Sequence, residues 1–181
     1  GKTTTLYSLL AHLNREEVNI MTLEDPVEYP HALIRQTSLT ELSKVDFAGG
    51  VRAIMRQDPD IVLVGEIRDR EAAEMAFRAA MTGHLVFTTL HTHSALGVFP
   101  RLDDMGIRPA ILAGNVVAVI AQRLVRRLCP HCKESHAPDD GERVLLGSSA
   151  PIYRARGCIH CAYKGYRGRL PLMELLLMDG D

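Results

Sequence analysis

Short, mainly apolar runs that stop abruptly at acids or histidines recur along this chain and alternate with segments of helical periodicity. Val18 to Leu23 ends in Glu24-Asp25-Pro26, Ile61 to Val64 ends in Gly65-Glu66, and Leu85 to Leu90 lies between His84 and His91. Runs without polar alternation are the mark of strands buried on both faces, which is the environment of a parallel sheet covered by helices. The segments between them supply those helices. Leucines at 6, 9, 10 and 13 make one apolar stripe behind the opening Gly-Lys-Thr. Phe47, Val51, Ile54 and Met55 make a second, with Asp46 as its N-cap, and Ala72, Met75, Ala76, Ala79 and Ala80 make a third. Gly49 and Gly50 lie inside the second helix at a cost of about 1 kcal/mol each relative to Ala. The fold class expected is α/β with a mainly parallel sheet, and the polar groups collect at strand C-termini, where open α/β sheets hold their ligands.

The architecture changes near residue 125. A further apolar helix is expected over 109–122, leading into Arg123, Arg126 and Arg127 and then a first cysteine pair. Turn-rich stretches follow at Pro138-Asp139-Asp140-Gly141 and Gly147 to Pro151. We therefore expect two parts, 1–125 and 126–181, the second ending in a helical segment. Charge divides in the same sense. Residues 1–122 carry 11 basic and 15 acidic side chains and residues 123–181 carry 10 and 7, within a net charge of −1. That balance removes the overall basic field of a protein held mainly by nucleic-acid phosphates. The longest apolar run, Ala110 to Ala121, is broken by Gly114 and Asn115 and falls short of the ~20 residues needed to span a bilayer. The opening residues lack both an initiating Met and the apolar stretch of a signal peptide, so the chain reads as a fragment.

Gly1-Lys2-Thr3 is the tail of G-x-x-x-x-G-K-[ST]. In that loop backbone amides and a helix N-terminus cradle phosphates, the Lys neutralises them, and the hydroxyl holds Mg²⁺. Glu66, directly after an apolar strand, stands where a nucleotide-binding fold places the acid that orients Mg²⁺ or its water; the alternative is a solvated glutamate paired with Arg68 or Arg70. Glu24, Asp25 and Glu28 crowd negative charge around Pro26, a cluster that is unfavourable unless cations or function require it. His84 and His91 bracket one strand, and their odd separation would turn them to opposite sides of a regular strand.

With these motifs in place, nearly the whole chain resembles the secretion ATPases of bacterial type II secretion and type IV pilus assembly. The matching segments are Gly1-Lys2-Thr3-Thr4-Thr5-Leu6 (end of Walker A), Leu23 to Tyr29 (the Asp box), Arg56 to Asp60 through Gly65-Glu66-Ile67-Arg68-Asp69 (Walker B), and Thr82-Gly83-His84-Leu85 through Thr89-Leu90-His91-Thr92 (the His box). Ala121-Gln122-Arg123-Leu124 through Cys132, with Gly157 to Cys161, resembles the tetracysteine element of assembly-type members, which the retraction type lacks.

The resemblance implies a RecA-like P-loop ATPase core over 1–125 and a zinc-binding subdomain over 126–181. It implies a cytoplasmic homohexamer, peripheral at the inner membrane, that works on secretion or pilus platform proteins. Lys2 would bind the β/γ-phosphates of ATP, Thr3 the Mg²⁺, and Glu66 the Mg²⁺ through water. Glu28 would polarise the attacking water, with Glu24 as the alternative. His84 and His91 would contact the γ-phosphate or a neighbouring subunit. The front of Walker A and its strand are missing from the match, so a gap in the sheet is expected. Pro100 interrupts the pattern Ala95, Val98, Phe99, Leu102, and Leu170-Pro171-Leu172 departs from the usual Thr-Gly.

Two C-x-x-C pairs, Cys129/Cys132 and Cys158/Cys161, separated by 25 residues, suit a tetrahedral, structural Zn²⁺. A cytosolic setting disfavours disulfides; reduced thiols or redox pairs are the other readings, and His131 and His160 are substitute ligands. Two further functions stay open at this point: a zinc-stabilised interaction module without ATPase activity, and a nucleic-acid translocase using the basic tail, for which the overall charge argues poorly.

Overall fold

The computed structural model describes residues 1–39 and 46–178. It divides into two units, one of Gly1–Gln122 with the stretch that begins at Met173, the other Arg123–Leu172.

The first unit is built on four parallel strands, β1 (Ile20–Glu24), β2 (Ile34–Ser38), β3 (Ile61–Val64) and β4 (Leu85–Thr88), in the order β2-β1-β3-β4. Helices α1 (Lys2–Leu13), α2 (Phe47–Ile54) and α3 (Arg70–Met81) cover both faces. On one face Tyr7 and Leu10 of α1 pack with Ile20, Ile34, Ile61 and Leu63. On the other, Phe47, Val51 and Ile54 of α2 and Ala72 of α3 pack with Met21, Leu23, Val62 and Val64. All five residues of β1 and all four of β3 are buried; β3 is wholly apolar, and in β1 the buried polar pair Thr22 and Glu24 hydrogen-bond each other. Asp46 caps α2 by accepting from the Gly49 N–H, as expected, and Asp69 caps α3 by accepting from the Ala72 N–H at 2.8 Å. Gly50 has a packing reason to be small. A Cβ there would stand 2.4 Å from Leu23 Cδ2.

β2 is an unanticipated strand. Only Ile34 of Ile-Arg-Gln-Thr-Ser is buried, as suits a sheet edge, and the acid-bearing stretch 25–33 joins it to β1. The expected gap is not seen among the described strands: β1 pairs directly with β3, so the four are contiguous, with β4 at the other edge and Leu85 exposed.

Three local expectations need correction. The helix expected over 109–122 ends early: α5 is Pro109–Asn115, and the chain then extends into β5 (Ala118–Leu128). Gly114 and the β-branched residues Val116, Val117, Val119 and Ile120 favour that change. Pro100 does not interrupt α4 (Val98–Asp104), because it lies in the first turn, where the missing N–H has no helical acceptor to satisfy. The helical segment expected at the C-terminus is a strand, β8 (Tyr166–Leu177), paired with β5 in a two-stranded sheet; residues 179–181 lie outside the described residues. Its Leu-rich composition suits a helix, but ladder pairing decides the conformation, and an edge strand tolerates Pro171.

In the second unit β6 (Lys133–His136) and β7 (Ile152–Ala155) pair antiparallel, linked through α6 (Asp140–Leu146). An Asp139/Glu142 capping box opens α6. Among the described residues no helix is long and apolar enough to cross a membrane.

Candidate functional site

Register decides which polar groups meet. Leu23 of β1 aligns with Val64 of β3, and Val64 with Thr88 of β4, so the three strands end together. The chain beyond them is tied in the same line. Gly65 N–H donates to Leu23 O at 2.8 Å, Ile67 N–H to Thr89 O at 3.0 Å, and the Thr89 hydroxyl to Gly65 O at 2.8 Å. Glu24, Asp25, Glu66 and His91 consequently gather at one edge of the sheet.

α1 points its N-terminus toward that same edge. Tyr7, in its second turn, bonds Glu24 at the end of β1, whereas Asn14, just past its C-terminus, donates to Ala32 O ahead of the start of β2, which runs parallel to β1. Gly1, Lys2 and Thr3 therefore lie at the strand C-terminal side. No side chain caps α1, and its first backbone bond runs from Thr5 N–H to Gly1 O at 3.1 Å, so the amides ahead of Thr5 face outward as an anion-binding terminus does. Lys2 is exposed and Thr3 half-buried.

Glu66 sits in a chain of charges. One oxygen bonds Arg68 and the other faces His91 Nε2 at 3.1 Å, while Arg68 also lies 3.4 Å from Asp25. The Arg68 hydrogen bond is the largest influence on Glu66 and, with His91, outweighs partial burial, holding the carboxyl below its ordinary range.

Glu24 and Glu28 are in contrasting surroundings. Glu24 is 4% exposed, and its carboxylate accepts from the Tyr7 hydroxyl, from Thr22 Oγ1 at 2.6 Å and from Gln36 Nε2 at 3.2 Å. Burial, then the bond to Glu24, pushes Tyr7 up to about 12, so the phenol remains a donor. Glu28 is exposed on the loop after β1, and its carboxylate forms no ion pair among the described residues.

His84 is not in this group. It precedes β4, whereas His91 follows it, so the strand holds the two at opposite ends of the sheet. Its Nδ1 lies 2.9 Å from Ala79 O and 3.1 Å from Thr82 Oγ1, against the C-terminus of α3. Sequence reasoning missed Tyr7, Thr22 and Gln36. Tyr7 was legible as the residue three before Leu10 on a shifted buried stripe, and Thr22 through its period-two relation to Glu24; nothing in the polar β2 sequence marks Gln36.

The second unit brings all four cysteine sulfurs within 4.8 Å of one another. Cys129–Cys158 is 4.0 Å, Cys132–Cys161 3.8 Å and Cys158–Cys161 3.9 Å. A tetrahedron with Zn–S bonds of about 2.3 Å has edges of about 3.8 Å, so the donor set fits that ion, and the separations are far beyond a disulfide's ~2.05 Å. Cys158 N–H and Gly165 N–H each donate to Cys161 Sγ at 3.2 Å. Burial raises the Cys161 thiol, but these donors outweigh it and bring it down to about 6. The His131 and His160 rings face each other at 4.4 Å and are not members of the sulfur cluster.

A family model described as "Type II/IV secretion system protein" matches residues 1–181. Type II secretion system protein E of Pseudomonas aeruginosa is 54% identical over 183 residues, covering 99% of this chain and 36% of that protein. Type IV pilus assembly ATPase TfpB of Acinetobacter baylyi is 46% identical over 188 residues, covering 99% and 32%. The chain thus spans about a third of the length of the curated relatives it matches. Among solved structures, the pilus retraction motor PilT with bound ADP matches with a TM-score of 0.71 at 31% identity, over 99% of this chain and 44% of that one.

Proposed function

Because the chain belongs to the type II/IV secretion system protein family, we propose that it is the nucleotide-hydrolysing portion of a motor ATPase that powers type II protein secretion or type IV pilus assembly. The observation that carries this reading is the gathering of the α1 N-terminus, the acid loop, Glu66 and His91 at one edge of a parallel sheet. The relatives' names, and the ADP bound to PilT, support the substrate assignment.

In this proposal the α1 amides and Lys2 neutralise the β/γ-phosphates of ATP. Thr3 Oγ and, through water, Glu66 hold Mg²⁺, which when bound offsets charge on the phosphate oxygens. Glu28 orients and polarises the attacking water: an exposed carboxylate with no ion pair has lone pairs to give, whereas both Glu24 oxygens are engaged. His91, held by Glu66, reaches the γ-phosphate side, and His84, at the far end of β4, is left with a contact to a neighbouring subunit. The four cysteines hold a structural Zn²⁺, since four thiolates leave no open coordination position. The assembly proposed is a cytoplasmic homohexamer, peripheral at the inner membrane, engaging secretion or pilus platform proteins. The test is Mg²⁺-dependent ATP hydrolysis by the full-length protein. Lys2→Ala is expected to abolish nucleotide binding and turnover, and turnover equal to the parent's would overturn the proposal.

A further inference from the structure

The buried acid that ends β1 is too well satisfied to be a base, and its partners reach both elements on which the proposed hydrolysis depends. Glu24 accepts from Tyr7 on α1, from Thr22 on β1 and from Gln36 on β2. Gln36 uses its whole side-chain amide. Its Nε2 donates to Glu24 at 3.2 Å and to Tyr29 O at 3.3 Å and faces the Tyr7 hydroxyl at 3.4 Å, while its Oε1 accepts from His31 N–H at 2.7 Å. Tyr29 and His31 close on Tyr7 as edge-on ring neighbours, at 5.2 Å and 4.7 Å between centroids. Ser38 Oγ accepts from Val27 N–H at 3.1 Å. The loop from Asp25 to His31 is therefore fixed from three sides, and Glu28 lies in its middle.

We infer that Tyr7, acting through Glu24 and supported by Gln36, is a positioning residue that clamps the Glu28 loop to the helix whose N-terminus receives the phosphates. This rests on the hydrolytic reading above. The Tyr7 hydroxyl on the second turn of α1 reaches the loop through Glu24 and Gln36, so the phosphate-binding helix and the water-orienting carboxylate hold one relative geometry. Displacing a reacting group by about 1 Å costs on the order of 100-fold in rate, whereas phosphate binding at the helix terminus does not pass through Glu24.

The experiment uses the full-length protein and compares Tyr7→Phe, Glu28→Gln and the double variant. Tyr7→Phe keeps the ring packing and removes the bond to Glu24. Its kcat is expected to fall about 10- to 100-fold, while the dissociation constant for a non-hydrolysable ATP analogue stays within about twofold, as the loss is of positioning and not of uniform binding. The double variant is expected to be no slower in single turnover than Glu28→Gln alone, because a clamp with nothing to position has no effect. Should Tyr7→Phe fail to fold, Gln36→Met removes the opposite anchor and is expected to give the same split. A Tyr7→Phe protein with the parent's kcat beside an inactive Glu28→Gln would overturn the clamp and leave the ATPase reading standing. So would a loss additive with Glu28→Gln, or one shared equally by kcat and nucleotide affinity. Parental turnover in Lys2→Ala would instead overturn the ATPase reading itself.

Discussion

Removing the metal proposed for the cysteine cluster should unfold the second unit and leave the first intact. Among the described residues of Arg123–Leu172 the buried apolar side chains are Cys129, at 0% exposure, Cys161, at 7%, and Pro138. No Val, Ile, Leu, Phe or Met there is buried, and Val144, Leu145 and Tyr153 are exposed. Ordering each backbone residue costs about 1–2 kcal/mol, and units this small rarely meet that cost without a staple even when they have an apolar core. A structural zinc contributes an apparent 10–16 kcal/mol, roughly, and none of it survives chelation. The assay is limited proteolysis of the full chain with mass mapping, before and after a chelator, with metal content measured on the same samples and nucleotide binding as the control on the first unit. New cleavage is expected in the Gly147-to-Pro151 turn and between the cysteine pairs, with 1–122 protected. Cys161→Ser should reproduce the effect, because a serine hydroxyl stays protonated and the Cys158 and Gly165 amides lose their thiolate acceptor. A chain verified free of metal that retains full protection in 123–172 would refute the reasoning.

Gly157→Ala places a Cβ 2.6 Å from Tyr163 O at a residue whose φ is +105°. It should destabilise the second unit by about 1–3 kcal/mol, read as faster loss of metal to a competing chelator; an unchanged loss rate would contradict it. Arg68→Ala acts on pH dependence. Glu66 has its native pKa held below the unfolded value, so its contribution to stability is present above the unfolded pKa and is lost as pH falls through the native one. Without Arg68 the native pKa rises toward the unfolded one, and urea melts followed by circular dichroism from neutrality into the acid range should show a smaller acid loss that is complete at a higher pH; coincident profiles would contradict the assignment.

What was legible in the sequence divides by burial. β1 and β3 are covered on both faces, so their residues are apolar except for Thr22 and Glu24, which hydrogen-bond each other, and the apolar positions can be read directly. α2 and α3 carry capping aspartates and one-sided stripes, which survive as local signals. β2, β5 and β8 border solvent, where no residue class is excluded. Ile34-Arg35-Gln36-Thr37-Ser38 contains one buried residue, and the leucines of β8 are mostly exposed and equally compatible with a helix. The family pattern named the acids and histidines, but their surroundings depend on partners distant in sequence. Glu24 is quenched by Gln36 from a strand that composition does not reveal, and His84 is separated from His91 by the strand between them.

The closeness of the acids at the sheet edge follows from one glycine and one arginine. A Cβ at Gly65 would meet Leu23 O at 3.2 Å and the Glu24 Cα at 3.3 Å, so the end of β3 lies closer to the end of β1 than a side chain there would comfortably allow. That approach brings Asp25 and Glu66 to the same guanidinium. Without a cation between them, two carboxylates so placed would repel, and Arg68, itself exposed, supplies the offset at little desolvation cost. Period two along β1 does the rest. Ile20, Thr22 and Glu24 share the α1 face, so the acid is drawn under Tyr7 and into hydrogen bonds, and the next carboxylate without an ion pair is Glu28. Three acids within five residues thus reach three different environments, buried and hydrogen-bonded, ion-paired, and open, through strand parity and one close backbone approach.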